Sequence, residues 1–339
     1  MKRIGERTII FPTKPKIISA CSLVGPEEYN GPLQKYFVNK VQDDTMNQKT
    51  YEKAERKMLT KVIDGAISAS QVKEKDVQLL IGGDLLNQII STSFSARETQ
   101  IPLLGVYSAC STMSESLAVG AMTVDGGFAS TVACGTVSHF SSAERQYRTP
   151  LEQGSQRPAV SQWTVTGAGC SVLSNSGKGP SITRATFGKV IDFGVTDTNN
   201  MGAAMAPAAA DTLQAFFQDT GKSPKEYDMI LTGDLGYLGS ELLCDLLSDR
   251  KIDITKNHRD CGAMIYPKDT AKFQGGSGAG CSASVFNSYV YKRLAGRKIK
   301  KMLFVATGAL LSTTSSMQGE TIPGIAHLVE IECEKKEET

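Results

Sequence analysis

The 339 residues carry 37 basic and 35 acidic side chains, and this near balance, spread along the chain, gives no basic stretch of the kind that nucleic acid selects. An apolar fraction of 40% and a charged fraction of 21% fit a globular chain long enough for one large domain or two modest ones. No run of eighteen apolar residues occurs, and the opening "MKRIGERTIIFP" has no signal-peptide core, so neither a membrane span nor a secretory leader is expected.

Taken in order, "YEKAERKMLTKVIDGAISAS" (51–70) has the apolar spacing of an amphipathic helix. "VQLLIGG" and "PLLGVYSA" read as short buried strands. A small-residue helix is expected from about Ser111 to Thr123. Asp125-Gly126-Gly127 then turns the chain into the strand "STVACGTVS". Such alternation predicts an α/β fold with parallel strands.

The same order then returns. "AAADTLQAFFQDTG" is helical, and "DMILTGDL" is a strand ending in Gly233-Asp234-Leu235, as the earlier one ended in Gly83-Asp84-Leu85. "SGAGCSASVFNSYVYKRLAGRK" is a helix with Cys281 near its start, and "KKMLFVATGALLS" is the next strand. Internal duplication is the simplest account. The join is placed near "SNSGKGPS", which gives halves of 1–178 and 179–339 that pack as one body.

Eight cysteines occur without CxxC spacing, and the three histidines are not grouped with cysteine pairs. Reduced, buried thiols are expected, with no metal site. Cys110 stands out, since it closes a strand and opens a helix. The positive end of the helix dipole would lower its pKa, with Ser111 and Thr112 capping the free amides.

The duplicated order, with a cysteine opening the central helix of the first half, resembles the thiolase superfamily over nearly the whole chain. "TVTGAGCSVLS" and "FVATGALLS…IAHLVEIE" are similar to its first-half closing strand and its Gly-rich last hairpin. Within it, "MNQKTYEKAERKM", "GGDLLNQ", "SSAERQYR", "MGAAMAPAAADTL", "TGDLGYLGS", "HRDCGAMIY" and "GGSGAGCSA" resemble the stage V sporulation protein AD family of spore-forming bacteria.

The resemblance implies a five-layer αβαβα fold, Cys110 in the nucleophile's place, and helper groups supplied by the second half. Those helpers are missing. Gly233 and Asp234 stand where thiolases have Asn-Glu and where initiating ketoacyl synthases place a histidine. Gly and Ser occupy the "GGSGAG" loop that holds a histidine or asparagine in the relatives. Ala306 and Thr307 fall near the position of the second thiolase cysteine. A thiolate without base and oxyanion donors loses most of its acceleration.

A non-catalytic protein without cofactor is therefore expected. The resemblance gives it dipicolinic acid, free or as the calcium chelate, as ligand. It also implies stage V sporulation membrane proteins as partners, a homodimer paired through first-half strands, and a peripheral place at the spore inner membrane. The two other readings are an active acyltransferase using Cys110 and a scaffold with a vestigial pocket.

Expected ligand contacts are Cys110, His139, Asp234, Gly276, Ser277 and Thr307, with Asp234 placed to approach the calcium of a chelate. The glycine loop is either a tight turn or a set of amides facing an anion. Several alternatives stay open. His139 is core or pocket rim, Asp84 and Asp234 are turn caps or pocket groups, and Arg145 and Arg148 face an anion or form surface pairs. His258 is expected in a solvated loop, while His327 and Cys281 are expected in the core.

Overall fold

The structure is a computed structural model that describes residues 2–148, 156–268 and 270–334. The acidic and basic tail after Glu334, expected to be solvated, lies outside the described residues.

The first half runs β1 (Lys16–Val24), α1 (Tyr51–Ser70), β2 (Leu79–Asp84), α2 (Ile90–Thr99), β3 (Leu103–Gly105), α3 (Thr112–Asp125), β4 (Thr131–Ser138), α4 (Phe140–Tyr147) and β5 (Gly167–Ser174). The second runs β6 (Ser181–Thr186), α5 (Met201–Thr220), β7 (Met229–Thr232), α6 (Gly236–Ser248), β8 (His258–Asp260), α7 (Cys261–Ile265), α8 (Ala279–Val285), β9 (Lys301–Ala309) and β10 (Gly324–Glu332). α8 continues through a π turn, Phe286–Val290, into a last helical turn, Tyr291–Ala295.

Local chemistry explains the boundaries. Thr50 caps α1 by accepting the Lys53 N–H, and Met58, Leu59, Val62, Ile63 and Ala66 bury one face of the helix. Asn200 caps α5, which begins seven residues before "AAADTLQAFFQDTG" and carries Pro207 within it. The sequence pattern hides that first stretch because proline reads as a helix breaker. His258 lies in β8, paired parallel to Ile230, rather than in a solvated loop.

The strand ladders repeat between the halves. β2 is parallel to both β3 and β4, while β5 is antiparallel to β4 and β1. In the second half β7 is parallel to β8 and β9, while β10 is antiparallel to β9 and β6. α1 and α2 cover the outer face of the first set and α5 that of the second, while α3 and α8 lie between the sets. This is the expected layering of helix, sheet, helix, sheet, helix. One feature is new: Lys16 pairs with Ser181, so β1 and β6 join the two sets into a single 13-stranded hydrogen-bonded sheet.

Burial follows the layers. Met113, Leu117, Phe286 and Phe304 fill the central layer, and Phe286 stacks on Phe304 at 4.7 Å. β4 and β5 are buried on both faces, which is why they read as unbroken runs of small and apolar residues.

Gly308 in β9 fixes how the second-half sheet meets the Cys110 turn. A Cβ there would lie 2.3 Å from the Ser108 carbonyl oxygen and 3.3 Å from the Cys110 nitrogen. Gly308→Val is therefore expected to cost about 3 kcal/mol. Gly319→Ala, at φ 78° with nothing within 4 Å, should cost only about 1 kcal/mol. Urea unfolding of both variants checks this, and equal losses would contradict the close approach at Gly308.

Candidate functional site

β3 leads into a tight turn, Ala109–Ser111, from which α3 starts. Ala109 has a left-handed φ of 50°, a conformation that a non-glycine residue adopts at a cost of about 1 kcal/mol. The turn presents Cys110 at the meeting point of the halves, almost wholly buried. Ser111 and Thr112 do not cap the helix amides. The Ser111 hydroxyl donates to the Ala306 carbonyl at 2.7 Å and accepts the His327 N–H at 3.1 Å, so it ties the turn to β9 and β10. Thr112 donates to the Ala109 carbonyl at 2.6 Å and thereby braces the strained residue.

Beneath the thiol lies Asp234, fully buried after β7. Its Oδ1 accepts the Thr307 hydroxyl at 2.9 Å and its Oδ2 accepts the Gly278 N–H at 2.8 Å. Gly278 reaches that position at φ 99°, which favours glycine. The Cys110 thiol lies beside the carboxylate, and each group shifts the other's titration. Burial pushes the Asp234 carboxyl up to about 7, against the pull of these donors, and the neighbouring Asp260 adds to the rise. Burial also pushes the Cys110 thiol well above its ordinary value, and the Asp234 charge pushes it further. The helix-dipole effect expected from the sequence is overridden.

A narrow cleft opens above the thiol, with a cavity volume of about 40 Å³, room for a few waters as its walls stand. Leu85, Tyr147, Met201 and Leu311 supply apolar walls. Arg148, Asn199, Thr164 and Ser277 supply the polar groups. The Tyr147 hydroxyl donates to the Leu85 carbonyl, which fixes one wall.

Of the six expected contacts, Cys110 and Ser277 line the cleft. Asp234 and Thr307 lie under them as supports, and Asp234, with no exposed surface, does not reach a metal in the cleft. Gly276 is packed away from it. Gly276–Ser277 pairs with Trp163–Thr164, and a Cβ at Gly276 would lie 2.6 Å from Ile265. That loop is core, and a bulky residue at Gly276 would disturb packing rather than fill a pocket. The loop amides are also committed, Gly278 N–H to Asp234 and Gly280 N–H to Ser138.

His139 is also apart from the cleft. It caps α4 by accepting the Ser141 N–H at Nδ1, so Nε2 carries the proton that meets the Asp44 carbonyl at 2.8 Å. Burial lowers its pKa, consistent with this neutral tautomer. His258 is buried against the Thr232 hydroxyl at 2.9 Å, and burial pushes its pKa down to about 4. His327 is core, and its Nδ1 accepts the Gly188 N–H. Arg145 pairs with Glu52 outside the cleft, whereas Arg148 lines it. Gln162 was missed by sequence reasoning. Its amide donates to the Asp234 carbonyl at 2.6 Å and the Gly276 carbonyl at 2.9 Å, tying both together. Among the described residues no group of three or more His, Cys, Asp or Glu side chains is placed to hold a metal ion.

The chain matches the sequence profile of the family described as stage V sporulation protein AD over residues 5–332. It is 43% identical over 332 residues to the stage V sporulation protein AD of Bacillus subtilis (strain 168), covering 98% of each chain. The chain belongs to the stage V sporulation protein AD family.

Solved structures similar to this family member are condensing enzymes of thiolase-like fold. 3-Oxoacyl-[acyl-carrier-protein] synthase III from Aquifex aeolicus VF5 aligns with a TM-score of 0.58 at 12% identity, over 94% of this chain and 99% of that one. OleA from Xanthomonas campestris, in a variant carrying a histidine-to-aspartate substitution, aligns at 0.62 and 12% identity, over 95% and 99%. At these identities the likeness concerns the fold. Among the described residues no helix of this family member is long and apolar enough to cross a membrane.

The buried pair sets how Cys110 reacts. At pH 8 Asp234 is ionised and the raised thiol pKa keeps Cys110 protonated, so alkylation by iodoacetamide should be slow. Asp234→Asn removes the adjacent charge, lowers the thiol pKa and should speed alkylation at pH 8 roughly tenfold. Rates followed by peptide mass spectrometry check this, and a variant that reacts no faster would contradict the coupling.

Proposed function

We propose that this chain is a non-catalytic ligand-binding member of its family that takes dipicolinic acid, free or as its calcium chelate, into the Cys110 cleft. In this reading it helps deliver the acid into the developing spore beside stage V sporulation membrane proteins, at the inner membrane. The observation that carries the non-catalytic part is the pairing of the Cys110 thiol with the buried Asp234 carboxylate. Acyl transfer needs a thiolate and a group that takes its proton. An ionised carboxylate packed against the sulfur opposes the first, and none of the three histidines lines the cleft.

The ligand is supported by the family resemblance and by the side chains that line the cleft, which must move apart to admit a ring. Its apolar walls suit a flat aromatic body, and its few polar groups suit carboxylates. Calcium would enter as part of the ligand. Pairing into a homodimer through the first half belongs to the same proposal, since β3 forms an edge of the sheet and exposes Leu104.

Calorimetric titration with dipicolinate, with and without calcium, tests the ligand. Saturable heat that disappears on Met201→Trp, at a partly buried wall of the cleft, with the fold retained, is expected. No heat in either condition would overturn the ligand and leave a scaffold with a vestigial pocket.

A further inference from the structure

We propose that Arg148 is the anion anchor of the cleft, pairing its guanidinium with a carboxylate of an aromatic acid whose ring lies between Leu85, Tyr147, Met201 and Leu311. The inference rests on the reading of the cleft as a ligand site, and it names the group that gives that site its charge preference.

Two guanidinium groups share one carboxylate at the cleft wall. Arg157 pairs with Glu144 Oε1, and Arg148 Nε meets the same oxygen at 3.3 Å. Arg157 is fully employed in structure. It donates to the Gln162 carbonyl at 2.9 Å and lies over the Phe140 and Trp163 rings at 5.2 and 4.8 Å. Arg148 lines the cleft and is held more loosely, by the long contact to Glu144 and by Nη1 donating to Asn199 Oδ1 at 3.0 Å.

Arg148 and Arg157 thus face two carboxylates, Glu144 and Asp197, in a largely dehydrated place, and Asp197 also accepts the Asn199 N–H at 2.9 Å. Among the described residues Arg148 is engaged at Nε and Nη1 and not at Nη2, and a partly buried guanidinium so held favours an incoming anion. The planar fork of arginine matches a carboxylate with two parallel N–H donors, which a lysine does not reproduce. Thr164 lies on the same cleft and can take a remaining carboxylate oxygen, while the Asn199 amide donates to Asp197 Oδ1 at 3.1 Å. The opposite end, at Cys110 and Ser277, offers only weak or neutral donors, because Asp234 beneath them is itself acidic. Charge recognition therefore falls to the Arg148 end.

The test uses the full chain as parent, Arg148→Met and Arg148→Lys, each first shown by thermal unfolding to be folded. Dipicolinate and the uncharged pyridine-2,6-dicarboxamide are titrated by calorimetry. Dipicolinate affinity should fall roughly ten- to a hundredfold in Arg148→Met and less in Arg148→Lys, while the diamide is unaffected. An Arg148→Met protein that binds dipicolinate as tightly as the parent overturns the anchor.

If the methionine variant does not fold, the Arg148 Nε–H resonance of the parent, labelled with nitrogen-15, gives the readout. It should shift on adding dipicolinate, and an unmoved resonance at saturation overturns the proposal. If the parent gives no heat with dipicolinate, the resonance is followed with benzoate and pyridine-2-carboxylate. A shift there upholds the anchor while discarding dipicolinate as ligand, and silence toward every carboxylate overturns the anchor.

Discussion

Where the two halves meet, a thiol and a carboxyl group are buried side by side, and the low dielectric allows few arrangements of their protons. Burial disfavours a charge on the Cys110 sulfur, and the neighbouring Asp234 charge opposes it further, which is why the thiol pKa rises so far. The accessible state is a thiol beside a carboxylate, or two neutral groups at lower pH. Much of the surrounding structure serves that pair. Thr307 and Gly278 hold the carboxylate, Gln162 holds its backbone, and Gly308 lets β9 approach closely enough to bring Thr307 into range. A scaffold shared with condensing enzymes thus ends in a floor that is polar and weakly acidic.

The loops after two equivalent strands serve two uses. Asp84 and Asp234 end equivalent strands, β2 and β7. Asp84 works as a cap: it accepts the Leu86 N–H at 2.9 Å and both the Thr92 N–H and hydroxyl at 2.7 Å. In the second half Asp260 takes over that task and accepts the Leu235 and Gly236 amides, each at 2.9 Å. Asp234 is thereby released from capping and turns toward Cys110. The aspartate at the end of β8 therefore decides what the neighbouring loop can do.

The repeat, the layer order and the central helices were legible in the sequence because apolar periodicity and the recurring Gly-Asp-Leu carry them locally. α1 matches its expected span at both ends, since Thr50 caps it and the pattern stops at Ser70. The site was legible only in part. Cys110 and Ser277 line the cleft, but their neighbours arrive from elements far apart in the chain. The Gly275–Gly280 run gives no hint that its amides are already spent on Asp234 and Ser138. A lone histidine such as His139 looks alike in sequence whether it faces a ligand or caps a helix. Gln162, Asn199 and Leu311 carry no local signal, because only the packing of the two halves brings them to one place.

The claim that Cys110 is a protonated floor rather than a nucleophile is tested most directly by intact-mass spectrometry after incubation with acetyl- and acetoacetyl-coenzyme A at pH 7.5 (about the physiological range in which a working nucleophile of this kind titrates). The account predicts a single species of unmodified mass, with Cys110→Ala behaving the same way. An acetyl adduct on the parent that is absent from Cys110→Ala would contradict it and restore an acyl-transfer function to the site.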